Sequence, residues 1–477
     1  MERSISAARV ATLLGPALDR SPAYVGLADG LRMLISDGRI TVGTRLPSER
    51  ELTTRLGVSR TTVTRAYGRL RERGYLVSRQ GSGSLAQLPT ARGGRQDHLL
   101  SPGDFPEESI DLTCAASPAP PGVAAAYERA VEQLPSFLTG TGYYPSGLPA
   151  LREAVARRYD ERGLPTSPEQ IVVTSGALSA IAVATRALVG VGDRVLVESP
   201  TYPNAIATLR RSGARIAGVG VEPTGWDVDG IRAAVRQVSP RLAYLIPDFH
   251  NPTGALMDDE QRARVAHALD RGRSVAVVDE TLAEMAVDDV TMPAPFGAHA
   301  SDAVSVGSAS KAYWGGLRIG WLRAPADRVG ALVSARLSLD LGAPLLEQLA
   351  LTALLERHQE VTAARREQVR TSRAALVAAL ADRLPDWRFT PPHGGLALWC
   401  ELPAPLSSAL TAAAERQHVL LASGASFAPE GGLERYLRLP YTRSPEDLTE
   451  AVARLAVAWQ DAQRHRTTPG RRDPLVA

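Results

Sequence analysis

From Ser48 the chain sets polar helix starts against apolar positions at helical spacing, in the run SERELTTRLGVSRTTVTRAYGRLRERGYLVSRQGSGSL. Ser48 and Glu51 after Pro47 form a capping box, and Gly57 stops the first helix. Ser59 then caps a second helix in which Val63, Ala66, Tyr67 and Leu70 recur at i, i+3, i+4 and i+7, a single buried stripe ending at Gly74. Two short helices joined by a tight glycine turn predict a helix-turn-helix whose second helix can enter a major groove. The strand Tyr75 to Arg79, the turn Gln80-Gly81-Ser82-Gly83 and a second short strand predict a β-wing, so the head, residues 20–88, reads as a winged helix.

The pattern then lapses. Residues 89–107, which begin PTARGGRQDHLLSPGDFP, carry Pro, Gly and polar residues without a period and read as a linker. Beyond it, helical patterns alternate with the β-branched runs IVVT, RVLVE, LAYLIP and SVAVVDE. Strands separated by helices imply parallel crossovers, an α/β domain with a mostly parallel sheet and ligands at the carboxyl ends of its strands. That domain is assigned 108–460, with a small C-terminal α+β subdomain from about 345, and 461–477 a basic tail. The opening MERSISAARVATLLGPALDR reads as an amphipathic lead-in, not a signal peptide. No apolar run is long enough to span a membrane.

Composition changes this picture in two places. The net charge of +3 conceals an excess of basic residues in the head: 14 Arg stand against five acidic residues between Arg20 and Arg95. That end suits a polyanion. Of 54 basic residues, all but Lys311 are arginine. A guanidinium stays protonated and cannot act as an amine nucleophile, whereas one primary amine can condense with an aldehyde. The two cysteines, Cys114 and Cys400, exclude a disulfide framework and leave a reducing, cytoplasmic compartment as the expectation. No metal site is expected.

The residues that follow the strands carry the candidate chemistry. Ser175-Gly176-Ala177 after IVVT meets a helix N-terminus, a seat for phosphate. Asn251 lies on the Pro-bounded turn PDFHNPTG, where its amide can reach a phenolic oxygen. Asp279 ends SVAVVD, where a carboxylate can keep a pyridine nitrogen protonated. Ser308, Ser310 and Arg318 place two hydroxyls and a guanidinium near Lys311.

The head resembles the GntR family around LPSERELTTRLGVSRTTVTRAY. This implies DNA contacts at Arg50, Arg60, Thr61, Thr62 and the wing Gly81, with Arg45 on a phosphate. The order Gly176, Asn251, Asp279, Lys311, Arg318, with SASKAYWGGLRIGW around the lysine, resembles the fold-type I aminotransferases. Together the two halves resemble the MocR family of regulators that depend on pyridoxal 5'-phosphate (PLP). The resemblance implies a Schiff base on Lys311, Asp279 on the pyridine nitrogen, Asn251 on the ring oxygen and Tyr202 stacked on the ring. It places Ser175, Gly176, Ala177, Ser308, Ser310 and Arg318 on the phosphate, with Tyr143 arriving from a partner subunit, and Arg438 of YLRLPY on an α-carboxylate. It further implies a head-to-tail, domain-swapped homodimer. In one respect the chain departs from the family: Thr281 stands where relatives commonly carry a tyrosine that reaches the ring oxygen.

Two functions follow as expectations. One is a regulator that binds double-stranded operator DNA, joins the nucleoid when bound, and senses PLP or an amino compound through Lys311. The alternative is an active aminotransferase with an attached DNA-binding head. The first is favoured, since a specific winged helix serves no purpose in a free metabolic enzyme. The effector, the operator, the genes controlled and the sign of control are not written in the residues.

Overall fold

The computed structural model describes residues 4–15, 22–36, 39–40, 43–79, 83–87 and 108–464. Gly81, the linker residues 89–107 and the tail beyond 464 lie outside them. The chain divides into two compact units, one of residues 1–96 with 120–129, the other of 97–119 with 130–477.

The first unit opens with α1 (Ala7–Leu14) and α2 (Ala23–Ser36), followed by α3 (Glu49–Leu56), α4 (Arg60–Glu72) and the antiparallel strands β1 (Leu76–Arg79) and β2 (Gly83–Ala86). Ser48 caps α3 in a complete capping box, and Gly57 ends it in the left-handed region at φ 67°. Only glycine takes that conformation at little cost, so the turn between the helices is held by local chemistry. Ser59 caps α4, and Val63, Ala66, Tyr67 and Leu70 are all buried. The core of the head reaches further toward the N-terminus than the assigned boundary at residue 20. Val10 and Leu14 of α1 join Leu27, Leu31, Leu52 and Leu70 in one cluster. The weak apolar patch that reads as a lead-in is a helix whose apolar face joins this core.

In the second unit, β3 (Ile110–Asp111) is the first strand. α5 (Val123–Gln133), which begins in the first unit, and α6 (Pro149–Glu161) precede an alternation of β4 (Ile171–Thr174), α7 (Ala177–Leu188), β5 (Arg194–Ser199), α8 (Pro203–Arg211), β6 (Arg215–Glu222), β7 (Gly225–Trp226), α9 (Val228–Val238), β8 (Leu242–Leu245), α10 (Asp259–Arg271), β9 (Val275–Asp279), β10 (Val304–Ser308) and β11 (Gly320–Arg323). These strands form one eight-stranded sheet in the order β4-β11-β10-β9-β8-β5-β6-β7. The pairs from β10 through β6 are parallel, while β11 runs antiparallel between β4 and β10. Strands β4, β8, β9 and β10 are buried along nearly their whole length and read as continuous apolar runs, as a sheet covered on both faces requires.

Helices α11 (Ala326–Leu337), α12 (Leu345–Leu355) and α13 (His358–Arg383) lead to the C-terminal layer. There β12 (Ala397–Glu401), α14 (Ser407–Arg416), β13 (Val419–Leu420), β14 (Ala422–Ser423), β15 (Tyr436–Pro440) and α15 (Pro445–Arg464) build a three-stranded sheet, β12-β15-β14, against helices. The short β13 pairs with β3. α15 continues through Arg464, so residues 461–464 of the assigned tail are helical. Among the described residues no helix is long and apolar enough to cross a membrane.

Candidate functional site

The antiparallel strand β11 assembles what the sequence keeps apart. Its Gly320 is in register with Ser308 on one side and Thr174 on the other, so Ser175-Gly176-Ala177 and Ser308-Ala309-Ser310-Lys311 leave the sheet at neighbouring points. A Cβ at Gly320 would stand 2.6 Å from the Gly176 carbonyl carbon and 2.7 Å from the Ala177 nitrogen, so only glycine fits. Gly176 itself sits at φ 96° and caps α7 with no side chain on the helix's first N–H groups. Those groups and the helix dipole favour an anion. Arg318 supplies the charge: its Nη2 is 2.8 Å from the position a Gly176 Cβ would take and donates to Ser175 O at 3.4 Å. It is held at φ 49°, ψ 33°, a left-handed conformation costly for a non-glycine residue. Ser308 Oγ accepts from Ser310 N at 3.1 Å.

Lys311 Nζ donates to Ala115 O at 2.9 Å. Burial lowers its pKa from the ordinary lysine value, with the guanidinium groups of Arg438 and Arg318 acting in the same direction, opposed by Cys114 and Asp279. A depressed pKa leaves more neutral amine, the form that attacks a carbonyl. Asp279, at the end of β9, is buried; Tyr244 Oη donates to its Oδ2 at 2.6 Å and Thr281 N to its Oδ1 at 3.0 Å. Burial raises the Asp279 pKa, and the hydrogen bonds from Tyr244 and Thr281, with Lys311 nearby, pull it back. Thr281 therefore serves Asp279 through its backbone N–H.

Arg438, on β15, is 1 % exposed; its Nη1 donates to Asn251 Oδ1 at 3.3 Å, its Nη2 to Thr113 O, and its guanidinium lies 5.0 Å from the centre of the Phe427 ring. Its Nε is buried without a hydrogen-bond partner. An unpaired buried guanidinium N–H is expensive, and burial lowers the Arg438 pKa to about 10, so a carboxylate arriving there relieves a cost already present. Tyr202 caps α8 and accepts from Asn204 Nδ2 at 3.0 Å; burial raises its pKa, with the Asp279 charge also felt.

The turn that carries Asn251 is fixed from below by buried charges. Arg262 pairs with Asp248 at 2.7 Å and also donates to Met257 O and Ala294 O. Glu198, at the end of β5, accepts from Trp226 Nε1 at 2.6 Å and Ile246 N at 2.8 Å, and lies 3.2 Å from His250 Nε2. His250 Nδ1 meets Thr253 Oγ1 at 2.9 Å, so this histidine is structural.

The segment after the linker is held by its carbonyls. Glu108, Asp111, Thr113, Cys114, Ala115 and Pro118 accept in turn from Arg454, Arg443, Arg438, Thr442, Lys311 and Arg365. Two of these six donors, Lys311 and Arg438, are the candidate ligand-binding side chains. Tyr143 is 64 % exposed in a loop.

On the winged helix, Arg50, Arg60 and Thr61 are exposed. Thr62 is half-buried, and its Oγ1 lies 2.8 Å from Ser59 Oγ, so its hydroxyl also serves the helix cap. Arg45 bridges to Leu85 of the wing, and its Nε is 3.2 Å from where a Gly83 Cβ would stand.

Glu198, Tyr244, Arg262, Gly320 and the carbonyls of 113–115 escape a reading of the sequence. A charge ending an apolar strand, as in RVLVES, is the one local signal that points to any of them.

A small-residue helix cap with an arginine, a buried amine, a strand-end carboxylate and a second buried arginine define a PLP-dependent fold-type I protein, here preceded by a winged helix. Residues 118–455 match the model of the aminotransferase class I and II family, and residues 23–85 that of the bacterial regulatory proteins, gntR family. The chain belongs to the aminotransferase class I and II family, whose cofactor is PLP, and carries a GntR-type head, the arrangement of MocR-type proteins. It is 28% identical over 480 residues to the HTH-type transcriptional regulator TauR of Rhodobacter capsulatus, covering 90% of this chain and 95% of that one. It is 30% identical over 334 residues to the probable rhizopine catabolism regulatory protein MocR of Rhizobium meliloti, covering 65% and 67%. The crystal structure of LysN, an α-aminoadipate aminotransferase of Thermus thermophilus complexed with N-(5'-phosphopyridoxyl)-L-leucine, superposes with a TM-score of 0.69 at 30% identity, covering 75% of this chain and 93% of that one.

The residues present fit PLP. The uncapped N-terminus of α7 and Arg318 suit its phosphate, Lys311 its aldehyde, Asp279 its ring nitrogen, and the orphaned Arg438 Nε a carboxylate beside it.

Proposed function

We propose that this chain is a transcriptional regulator that binds operator DNA through its winged helix and reads PLP, alone or with a carboxylate-bearing amino compound, at Lys311. The observation that carries this reading is the presence in one chain of an exposed Arg60-Thr61 face on a capped recognition helix and a Lys311, Asp279 and Arg438 constellation. When bound, the cofactor supplies an electrophilic carbonyl and an electron-withdrawing ring. The chain's own part is to hold its phosphate at Ser175, Gly176, Ala177, Ser308, Ser310 and Arg318, its ring nitrogen at Asp279, its ring oxygen at Asn251, and its face at Tyr202. Arg438 orients a carboxylate.

Occupancy has a physical route out of the site. Lys311 holds Ala115 O and Arg438 holds Thr113 O, on the segment that follows the linker in sequence. A ligand that engages these two side chains competes with those carbonyls and alters the hold on residues 108–118. A ligand shifts a conformational equilibrium only by its differential affinity for the two states, and these two bonds provide a difference.

The homodimer belongs to the same proposal. Leu138 and Tyr143 on one loop, and Leu337 at the end of α11 with Leu339 and Leu341 on the loop after it, are exposed apolar side chains. The two loops meet, because Arg336 Nη1 donates to Pro145 O at 2.9 Å and Gly342 packs on the Tyr144 carbonyl. Such a patch fits a second copy of the chain, which also brings Tyr143 to a partner's cofactor phosphate. Leu339→Asp is expected to give a monomer in sedimentation velocity and to weaken PLP binding; an unchanged dimer counts against this surface.

The regulator reading is tested by footprinting at physiological salt, with and without PLP and a panel of amino acids. A protected site whose affinity shifts at least several-fold with ligand supports it, and no specific protection sinks it. The aminotransferase alternative predicts instead an absorbance change with an amino acid that an added keto acid reverses over repeated cycles.

A further inference from the structure

Burying a carboxylate is costly, and Asp279 is both buried and charged in the role assigned to it. Its partners therefore decide what it can do. Tyr244 lies on β8, the strand beside β9, with Tyr244 opposite Val277 in the parallel register. Side chains alternate along strands, so Val275, Val277 and Asp279 project from one face of β9, and Tyr244 shares that face in the core beneath α7. From there its hydroxyl reaches Asp279 Oδ2 at 2.6 Å.

Tyr244 is 1 % exposed, and this is the hydrogen bond its hydroxyl makes. Burial and the neighbouring Asp279 charge hold its pKa well above the ordinary tyrosine value, so it stays a donor at any working pH. With Thr281 N on Oδ1, both carboxylate oxygens are held and the plane of the group is fixed. A carboxylate that receives hydrogen bonds keeps its charge in a buried site, and a fixed plane aims the remaining lone pairs.

We propose that Tyr244 is a positioning residue for the ring nitrogen of PLP: its hydroxyl orients the Asp279 carboxylate and keeps it charged, so that Asp279 can hold that nitrogen protonated. This rests on the reading of Asp279 and Lys311 as cofactor residues and adds a residue from outside the site's first layer. Tyr244 does not touch the cofactor; it acts through Asp279 alone.

The test compares PLP with its 1-deaza analogue, in which carbon replaces the ring nitrogen, on the full-length protein. Tyr244→Phe keeps the aromatic ring in the core and removes only the hydroxyl. It is expected to weaken PLP binding about tenfold, as for loss of a hydrogen bond to a charged group, and to leave binding of the deaza analogue unchanged. In an Asp279→Asn background the same substitution should cost nothing further, since coupled residues are not additive. An equal loss for both ligands, or a full additional loss in the Asp279→Asn background, overturns the proposal and makes Tyr244 a packing residue. If the unaltered protein itself fails to prefer PLP over the deaza analogue, the Asp279 reading fails instead, and the two outcomes are distinguishable.

Discussion

Lys311→Ala is expected to abolish covalent attachment of PLP, and borohydride reduction of the unaltered protein is expected to label Lys311 and no other position. The chain contains one lysine, so no second ε-amine can take its place. Burial depresses the Lys311 pKa, with Arg438 and Arg318 contributing, which raises the neutral fraction that attacks a carbonyl. An unperturbed lysine would be neutral in roughly 0.4% of molecules at pH 8, so even a modest depression raises the rate severalfold. Alanine also removes the donor to Ala115 O. One such hydrogen bond is worth about 1 kcal/mol, too little to unfold a domain of this size. Lys311→Arg sharpens the test because it keeps the charge and a donor for Ala115 O while removing the amine. Both variants should lose the absorbance of the Lys311 Schiff base, and Lys311→Arg should melt within a few degrees of the unaltered apoprotein. A borohydride-stable adduct on either variant, found by peptide mapping, would exclude Lys311 as the anchor.

Lys311 was legible because the compositional background is arginine, and a single exception in that background stands out. The helix-turn-helix was legible for a different reason: capping boxes and left-handed glycines are local chemistry, so Ser48, Glu51, Gly57 and Ser59 announce themselves within a few residues. Tyr244 was not legible. Its partner is 35 residues away, and the contact exists only because β8 and β9 are neighbours in the sheet. Gly320 escapes for the same reason, since its requirement comes from Gly176 and Ala177, in the turn after β4, which is distant in sequence and meets β11 antiparallel. Residues 113–115 show the extreme case, because backbone carbonyls carry no sequence signal. The α1 helix, read as a lead-in, belongs to the head's core through Val10 and Leu14, a packing fact that a weak apolar period does not reveal.

Arg60→Ala is expected to weaken specific operator binding by about 30-fold to 20,000-fold while leaving PLP absorbance unchanged. α3 begins with Glu49 and Glu51, as the helix dipole favours, whereas α4 has no acidic residue in its first turn and opens on Arg60. A cation there costs the helix about 0.3–1 kcal/mol, and the cost is repaid when the N-terminus faces phosphates and base edges. Arg60 is exposed, while Thr62 is engaged with Ser59, so Arg60 is the freer reader and its removal does not unmake the cap. A bidentate arginine contact to guanine is worth about 1–3 kcal/mol. A dimer with one head on each half-site loses it twice, about 2–6 kcal/mol, and 1.4 kcal/mol is a factor of ten. The form of the loss separates base reading from phosphate contact. If Arg60 reads a base, the variant loses discrimination at one position of each half-site and keeps its salt dependence. If it neutralises a phosphate, affinity falls alike on all sequences, and the slope of log affinity against log salt becomes shallower by about one per head. A change of less than twofold on the protected site, under either measurement, removes Arg60 from the interface and with it the placement of α4 in the groove.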